Sequence, residues 1–153
     1  MDNLVLDKER LLNKAERHCQ RRGARLTPSR RQVLSLVMEY SDVVKAYDIL
    51  SDLQKLKGNA APPTVYRALD FLVEMGILHR AELLNGFIFC RQFHQHHRSI
   101  ILSCTHCGKV VENAAAEQVQ ALMEYAKGQG FALDEIPLVF NGVCIQCEKR
   151  NDI

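Results

Sequence analysis

Apolar residues recur at helical spacing from the start of this chain. Leu4, Leu11, Leu12, Ala15 and Cys19 form one stripe, which Gly23 closes. Thr27-Pro28 predicts the opening of a second helix, with threonine as N-cap, proline at the first helical position, and Val33, Leu34, Val37 and Tyr40 buried. A third helix is predicted from Ala46 to Lys57, with Ile49, Leu50 and Leu53 inward and a stop near Gly58-Asn59. The fourth starts at Pro62-Pro63-Thr64, where missing amide protons cost nothing, and ends before Gly76. Its apolar face is Val65, Ala68, Leu69 and Leu72; Thr64, Arg67, Asp70 and Glu74 line another face, with Tyr66 at the flank.

The pattern then shifts to strands. Ile77 to Leu83 and Phe87 to Arg91 read as a hairpin turning at Asn85-Gly86, a dipeptide suited to the positive φ values of a tight turn. Helices followed by a hairpin predict a winged helix-turn-helix, with the fourth helix for recognition and the hairpin as wing. Beyond Phe93-His94-Gln95-His96-His97-Arg98 the texture changes. Strands are predicted at Ser99 to Ser103 and Lys109 to Glu112, a helix at Ala114 to Gly128, and a strand at Phe131 to Phe140 that Pro137 interrupts. The expected organisation is α+β: a winged-helix domain at 1–91, a hinge at 92–98, and a second domain at 99–153.

A second domain that small is marginal without a metal or a partner, and the cysteines supply a metal site. Four of the six lie in two Cys-x-x-Cys pairs, Cys104-Thr-His-Cys107 and Cys144-Ile-Gln-Cys147. Each pair offers two soft sulfurs from one tight turn, each about 2.3 Å from a shared tetrahedral zinc. Disulfides are the competing use. The segment Met1 to Arg22 is charged throughout with no signal-peptide core, so a reducing cytoplasmic location is expected and zinc is favoured. No apolar run approaches the ~18 residues of a membrane span, so no membrane partner is expected.

Net charge is only +2, but it is unevenly placed: residues 1–80 carry 14 basic and 10 acidic side chains. Between Lys8 and Arg31 there are nine basic groups against Glu9 and Glu16. An isolated basic run is usually a solvated helix face; beside a recognition helix it suits a polyanion.

Arg25-Leu26-Thr27-Pro28-Ser29-Arg30, Ala46-Tyr47-Asp48, Pro62-Pro63-Thr64-Val65-Tyr66-Arg67-Ala68-Leu69-Asp70-Phe71-Leu72 and Cys104-x-x-Cys107-Gly108, in this order, resemble the ferric uptake regulator family of bacterial metal-sensing repressors. The paired prolines, Ala68-Leu69-Asp70 and Cys90 most resemble its zinc-responsive branch. The resemblance implies a zinc-responsive transcriptional repressor: a homodimer, joined through its second domain, that binds double-stranded DNA at AT-rich inverted-repeat operators of zinc-uptake genes. A sensor of iron, manganese or peroxide is the alternative.

The cysteine clamp leaves His79, Cys90, His94, His96, His97 and nearby acids as further ligands. By resemblance, a second, regulatory zinc falls on His79, Cys90, His97 and Glu112, giving two zinc ions per protomer. His96 is an alternative to His97, and His94 could serve an auxiliary site. Taken singly these residues carry little, since a lone Cys90 is more often a small buried hydrophobe. The clamp would be permanent and the second site, drawing on both domains, would set the separation of the wings. For DNA, Arg67 is the expected base reader, Tyr47 by resemblance approaches base edges or backbone, Thr64 and Tyr66 contact phosphates, and Arg25 and Arg30 reach backbone or minor groove. In free protein Arg67 is expected to pair with Asp70 or Glu74.

Two other classes compete. A zinc hydrolase needs an open coordination position, which neither a four-cysteine site nor a filled His, His, Cys, Glu site leaves, so no enzyme activity and no small-molecule substrate are expected. A zinc-independent interaction or storage module is disfavoured by basic charge beside the Thr64-Val65-Tyr66-Arg67 helix.

Overall fold

A computed structural model of the protein describes residues 2–93, 99–133 and 138–151. The chain divides into two compact units, residues 1–95 and 96–153.

The first unit contains α1 (Asp2–Arg21), α2 (Pro28–Val37), α3 (Ala46–Lys57) and α4 (Pro62–Glu74), followed by β1 (Leu78–Ala81) and β2 (Gly86–Phe89). Thr27 caps α2 as its sequence demands, its hydroxyl accepting from the Arg30 amide at 3.4 Å. The predicted stripes meet in one core: Leu12, Ala15 and Cys19 from α1, Val33, Leu34 and Val37 from α2, Ile49 and Leu53 from α3, and Val65, Ala68, Leu69 and Leu72 from α4. Burial raises the Cys19 thiol pKa, in keeping with a core residue. Polar ties hold the helices at their edges. Arg31 donates to Glu9 at 3.0 Å, Asn13 at 3.0 Å and Glu16 at 3.4 Å, joining α2 to α1. The Tyr40 hydroxyl donates to Asp52 at 2.6 Å, joining the end of α2 to α3; that bond pushes Tyr40 up to about 12. Phe93, placed by the sequence pattern in the connecting segment, is buried in this core.

The hairpin departs from its prediction. A 3-10 turn over Glu82–Leu84 and Asn85 separate the strands, so the connection is longer than a two-residue turn. Asn85 alone takes the positive φ, at 49°. Gly86 is needed for another reason. It lies inside β2, where a Cβ would stand 2.8 Å from the Val44 carbonyl oxygen and would also strike Val43 Cγ1. Val44 is bridged to Phe87 by two backbone hydrogen bonds of 2.9 and 2.8 Å, which seat the wing against the turn before α3. Gly86→Ala is therefore expected to push this bridge apart and lower stability by about 1–3 kcal/mol, read from the denaturant midpoint.

The second unit is a three-stranded sheet of order β4-β3-β5, formed by β3 (Ser99–Cys104), β4 (Val110–Ala114) and β5 (Leu138–Gly142), with α5 (Ala116–Gly128) and α6 (Ile145–Asn151). β3 pairs antiparallel with β4 and parallel with β5, and α5 lies between β4 and β5 in the chain as a crossover must. Ile101 and Val119 are buried where β3 and α5 pack. The other sheet face carries Val111, Leu102 and Phe140 in one cross-strand row, all exposed.

Two predicted features shift. Phe131 is not in a strand: α5 ends with Gly130 at φ 86°, and the Phe131 amide bonds back to the Ala126 carbonyl at 2.9 Å. The strand starts at Leu138, and the predicted break at Pro137 lies outside the described residues. Helix α6 went unpredicted because it is only seven residues long, with too few turns for periodicity to register. Among the described residues no helix is long and apolar enough to cross a membrane.

Candidate metal centres and nucleic-acid interface

Cys104 ends β3, Cys107 follows in the next turn, Cys144 precedes α6 and Cys147 lies within it. The Gly108 amide bonds to the Cys104 carbonyl at 2.9 Å, with Gly108 at φ 75°. The Cys147 and Glu148 amides bond to the Cys144 carbonyl, each at 2.9 Å. Each pair is thus folded into a tight knuckle, and Thr105 N–H to Gly142 O at 2.9 Å docks one against the other. The four Sγ atoms all lie within 4.8 Å of one another, and Cys107 and Cys144 are 3.8 Å apart. A tetrahedron of sulfurs about 2.3 Å from zinc has edges of about 3.8 Å, so this donor set fits the ion in chemistry and size.

The electrostatics favour the thiolate at two of these sulfurs and oppose it at a third. The Cys144 amide, 3.3 Å from Cys104 Sγ, together with the Cys107 amide, draws Cys104 down to about 6. Cys144 is lowered by the Cys147 amide. Cys147 is pushed up to about 12, chiefly by its hydrogen bond with Cys144 and by burial. Cys104 and Cys144 are thus readied to ionise while Cys147 holds its proton. Metal binding requires all four as thiolates. The expected outcome is proton release at neutral pH, with Cys147 a principal source, and an apparent zinc affinity that falls as pH is lowered. An indicator dye in weak buffer during zinc titration measures both.

The second predicted set divides between the units. His79 lies in β1 opposite Ile88 of β2, and Cys90 follows two residues beyond Ile88, so the two side chains share a face. Cys90 N–H bonds to Ile77 O at 3.0 Å and Cys90 is fully buried. Ligand atoms of His79 and Cys90 lie within 4.8 Å of each other. The sequence patterning of the two wing strands thus brings one nitrogen and one sulfur together at the wing base. Glu112 lies in β4 of the second unit, half-buried, and accepts from Ser99 Oγ at 3.0 Å. His97, its alternative His96, and His94 lie outside the described residues.

On α4, Thr64, Tyr66 and Arg67 are exposed, and Tyr47 projects from the first turn of α3 with 75% of its surface exposed. Arg67 has no ion pair among the described residues, contrary to the expected partnership with Asp70 or Glu74. Asp70 is taken instead by Arg80 of β1, at 2.5 Å. Arg25 is exposed, but Arg30 is turned onto the protein: its guanidinium sits 3.7 Å over the Phe71 ring and donates to the Arg25 carbonyl at 2.8 Å. Arg30 therefore braces the turn that presents Arg25. Arg10, Lys14, Arg17 and Arg21 are exposed along α1, at spacings that place them on one face. Reasoning from sequence did not single out Arg80. It alternates with His79 along β1, and its partner Asp70 is set by packing.

A winged helix-turn-helix unit joined to a unit with a four-cysteine clamp defines a metal-linked DNA-binding regulator. A family model described as the ferric uptake regulator family matches residues 21–141, and the chain belongs to that family. The zinc uptake regulation protein of Escherichia coli (strain K12) is 39% identical over 140 residues, covering 91% of this chain and 82% of that protein. A solved zinc uptake regulator complexed with zinc and DNA matches with a TM-score of 0.80 and 37% identity, covering 95% of this chain and 98% of that one. The crystal structure of holo XcZur matches with a TM-score of 0.74 and 37% identity over 90% of this chain and 96% of that one.

Proposed function

We propose that this protein is a zinc-responsive transcriptional repressor whose zinc-loaded homodimer binds AT-rich inverted-repeat operators of zinc-uptake genes in the cytoplasm. The observation that carries this reading is the likeness, over nearly the full length of both chains, to the regulator solved with zinc and DNA. The pairing of an imidazole with a thiol at the wing base favours zinc over iron or manganese, which prefer harder oxygen and nitrogen donors.

Two zinc ions per protomer are assigned. Cys104, Cys107, Cys144 and Cys147 hold the structural one. His79 and Cys90 from the first unit, with His97 and Glu112 from the second, hold the regulatory one. Zinc there would supply a closed tetrahedral centre and no open position for substrate water, in line with a sensor and not an enzyme. His79 and Cys90 fix the base of the wing, while Glu112 and His97 draw on the dimerising unit, so the ligands would set the spacing between two recognition helices. Cys90 as thiolate and Glu112 as carboxylate cancel the ion's charge, so the response acts through geometry more than through added positive potential. Apparent DNA affinity then scales with the fraction of dimers in the competent shape. The exposed row of Val111, Leu102 and Phe140 is the apolar surface we assign to the dimer.

Arg67 reads bases, with Tyr47, Thr64, Tyr66 and Arg25 on the surrounding edges or backbone and Arg30 holding Arg25. Replacing Arg67 with alanine is expected to lower operator affinity by about 1–3 kcal/mol and relax specificity at one base pair, with fold and zinc content unchanged. Fluorescence anisotropy on operator variants against buffered free zinc and iron tests the whole reading. DNA affinity that is indifferent to zinc, or that rises with iron instead, would sink it.

A further inference from the structure

We infer that Arg80 is a positioning residue for DNA reading, which holds Asp70 away from Arg67 and masks its charge; the inference rests on the DNA-binding reading above. Arg67 and Asp70 are three residues apart on α4, both exposed, at a spacing where arginine and aspartate normally pair across a helix surface. The structure pairs Asp70 with Arg80 instead, at 2.5 Å. Arg80 is held in place from the other side. Its guanidinium lies 5.4 Å over the Phe87 ring, and Phe87 is its register partner on β2. Phe87 is in turn clamped to Val44 by two backbone hydrogen bonds. The arginine therefore reaches Asp70 from a braced strand.

The arrangement has two consequences. Arg67 stays available to a base edge. A carboxylate on the face that would meet phosphates is neutralised. Both groups of the pair are substantially exposed, at 47% and 61%, so the contact contributes little to fold stability. Its effect belongs to affinity.

The test compares wild type, Arg80→Gln, Asp70→Asn and the double variant, all full-length and zinc-loaded, by anisotropy on a duplex that wild type selects from random sequence. Arg80→Gln is expected to bind about fivefold more weakly, the equivalent of about one ion pair, with its thermal midpoint unchanged. Asp70→Asn alone binds at least as well as wild type. Adding Asp70→Asn to Arg80→Gln restores affinity to near wild type, because the released carboxylate is then absent. A double variant as weak as Arg80→Gln, with the slope of log affinity against log salt reduced by about one, would show that Arg80 itself contacts a phosphate and would overturn the inference. A thermal midpoint lowered by several degrees in Arg80→Gln would overturn it too, as would unchanged affinity in that variant. A wild type that selected no DNA at all would overturn the functional reading itself.

Discussion

Cys104→Ser is expected to unfold the second unit and leave the first folded. Cys104 is the proposed ligand at the junction of β3 and the knuckle, buried, and hydrogen-bonded through its sulfur to the Cys144 amide, so it links the central strand to the second cysteine pair. Among the described residues the unit's core is thin: its buried apolar side chains are few, and its outer sheet row is exposed. Structural zinc in small domains contributes on the order of 10–16 kcal/mol of apparent binding free energy, more than a domain of this size holds from packing alone. Losing one of four thiolates therefore removes most of the unit's stability. The expected signature is loss of the dimer in size-exclusion chromatography, loss of the structural zinc together with the regulatory zinc that Glu112 and His97 would otherwise help hold, and retained helical signal from α1 to α4. A Cys104→Ser protein that remained a zinc-loaded dimer would refute the structural role of the clamp.

Cys90→Ser has the opposite profile. The substitution is nearly isosteric, and placing a hydroxyl at this buried site costs about 1–3 kcal/mol, which the first-unit core can absorb. The variant should remain folded and dimeric. Its zinc content should fall by one per chain, and the zinc-dependent gain in DNA affinity, typically between about 5- and 150-fold for allosteric coupling, should vanish. Equilibrium zinc dialysis with anisotropy on operator DNA measures both. Unchanged affinity across the zinc range would remove Cys90 from the sensing site. Together the two variants separate scaffold from sensor, because one removes the dimerising unit and the other spares it.

The helices of the first unit were legible because Thr27 with Pro28 and the Pro62-Pro63 pair mark the starts of α2 and α4, glycines mark most of the ends, and each stripe has enough turns to show its period. Asn85-Gly86 was misread for a physical reason. Only Asn85 of the pair takes a positive φ, and the need for glycine at 86 came from Val43 and Val44, more than 40 residues away in the chain. The end of α5 misled in a similar way: Phe131 belongs to the chain's return from the helix, where local apolar character imitates a strand.

Ligand chemistry divided along the same line. Two Cys-x-x-Cys pairs announce a four-sulfur site through local spacing, because each knuckle is closed by its own backbone. Cys90 and His79 are separated by a hairpin, and their proximity depends on strand register. Arg67 was identified as an exposed helix cation by periodicity alone. That Asp70 turns to Arg80, and that Arg30 turns onto Phe71, are outcomes of side chains from distant elements competing for the same charge or ring. Local rules of capping, period and spacing marked the helices of the first unit and the four-cysteine set, and the family followed from the resemblance of whole motifs. Tertiary packing decided which cations remain available to DNA and why Gly86 is a glycine, because those depend on contacts between segments that no local pattern records.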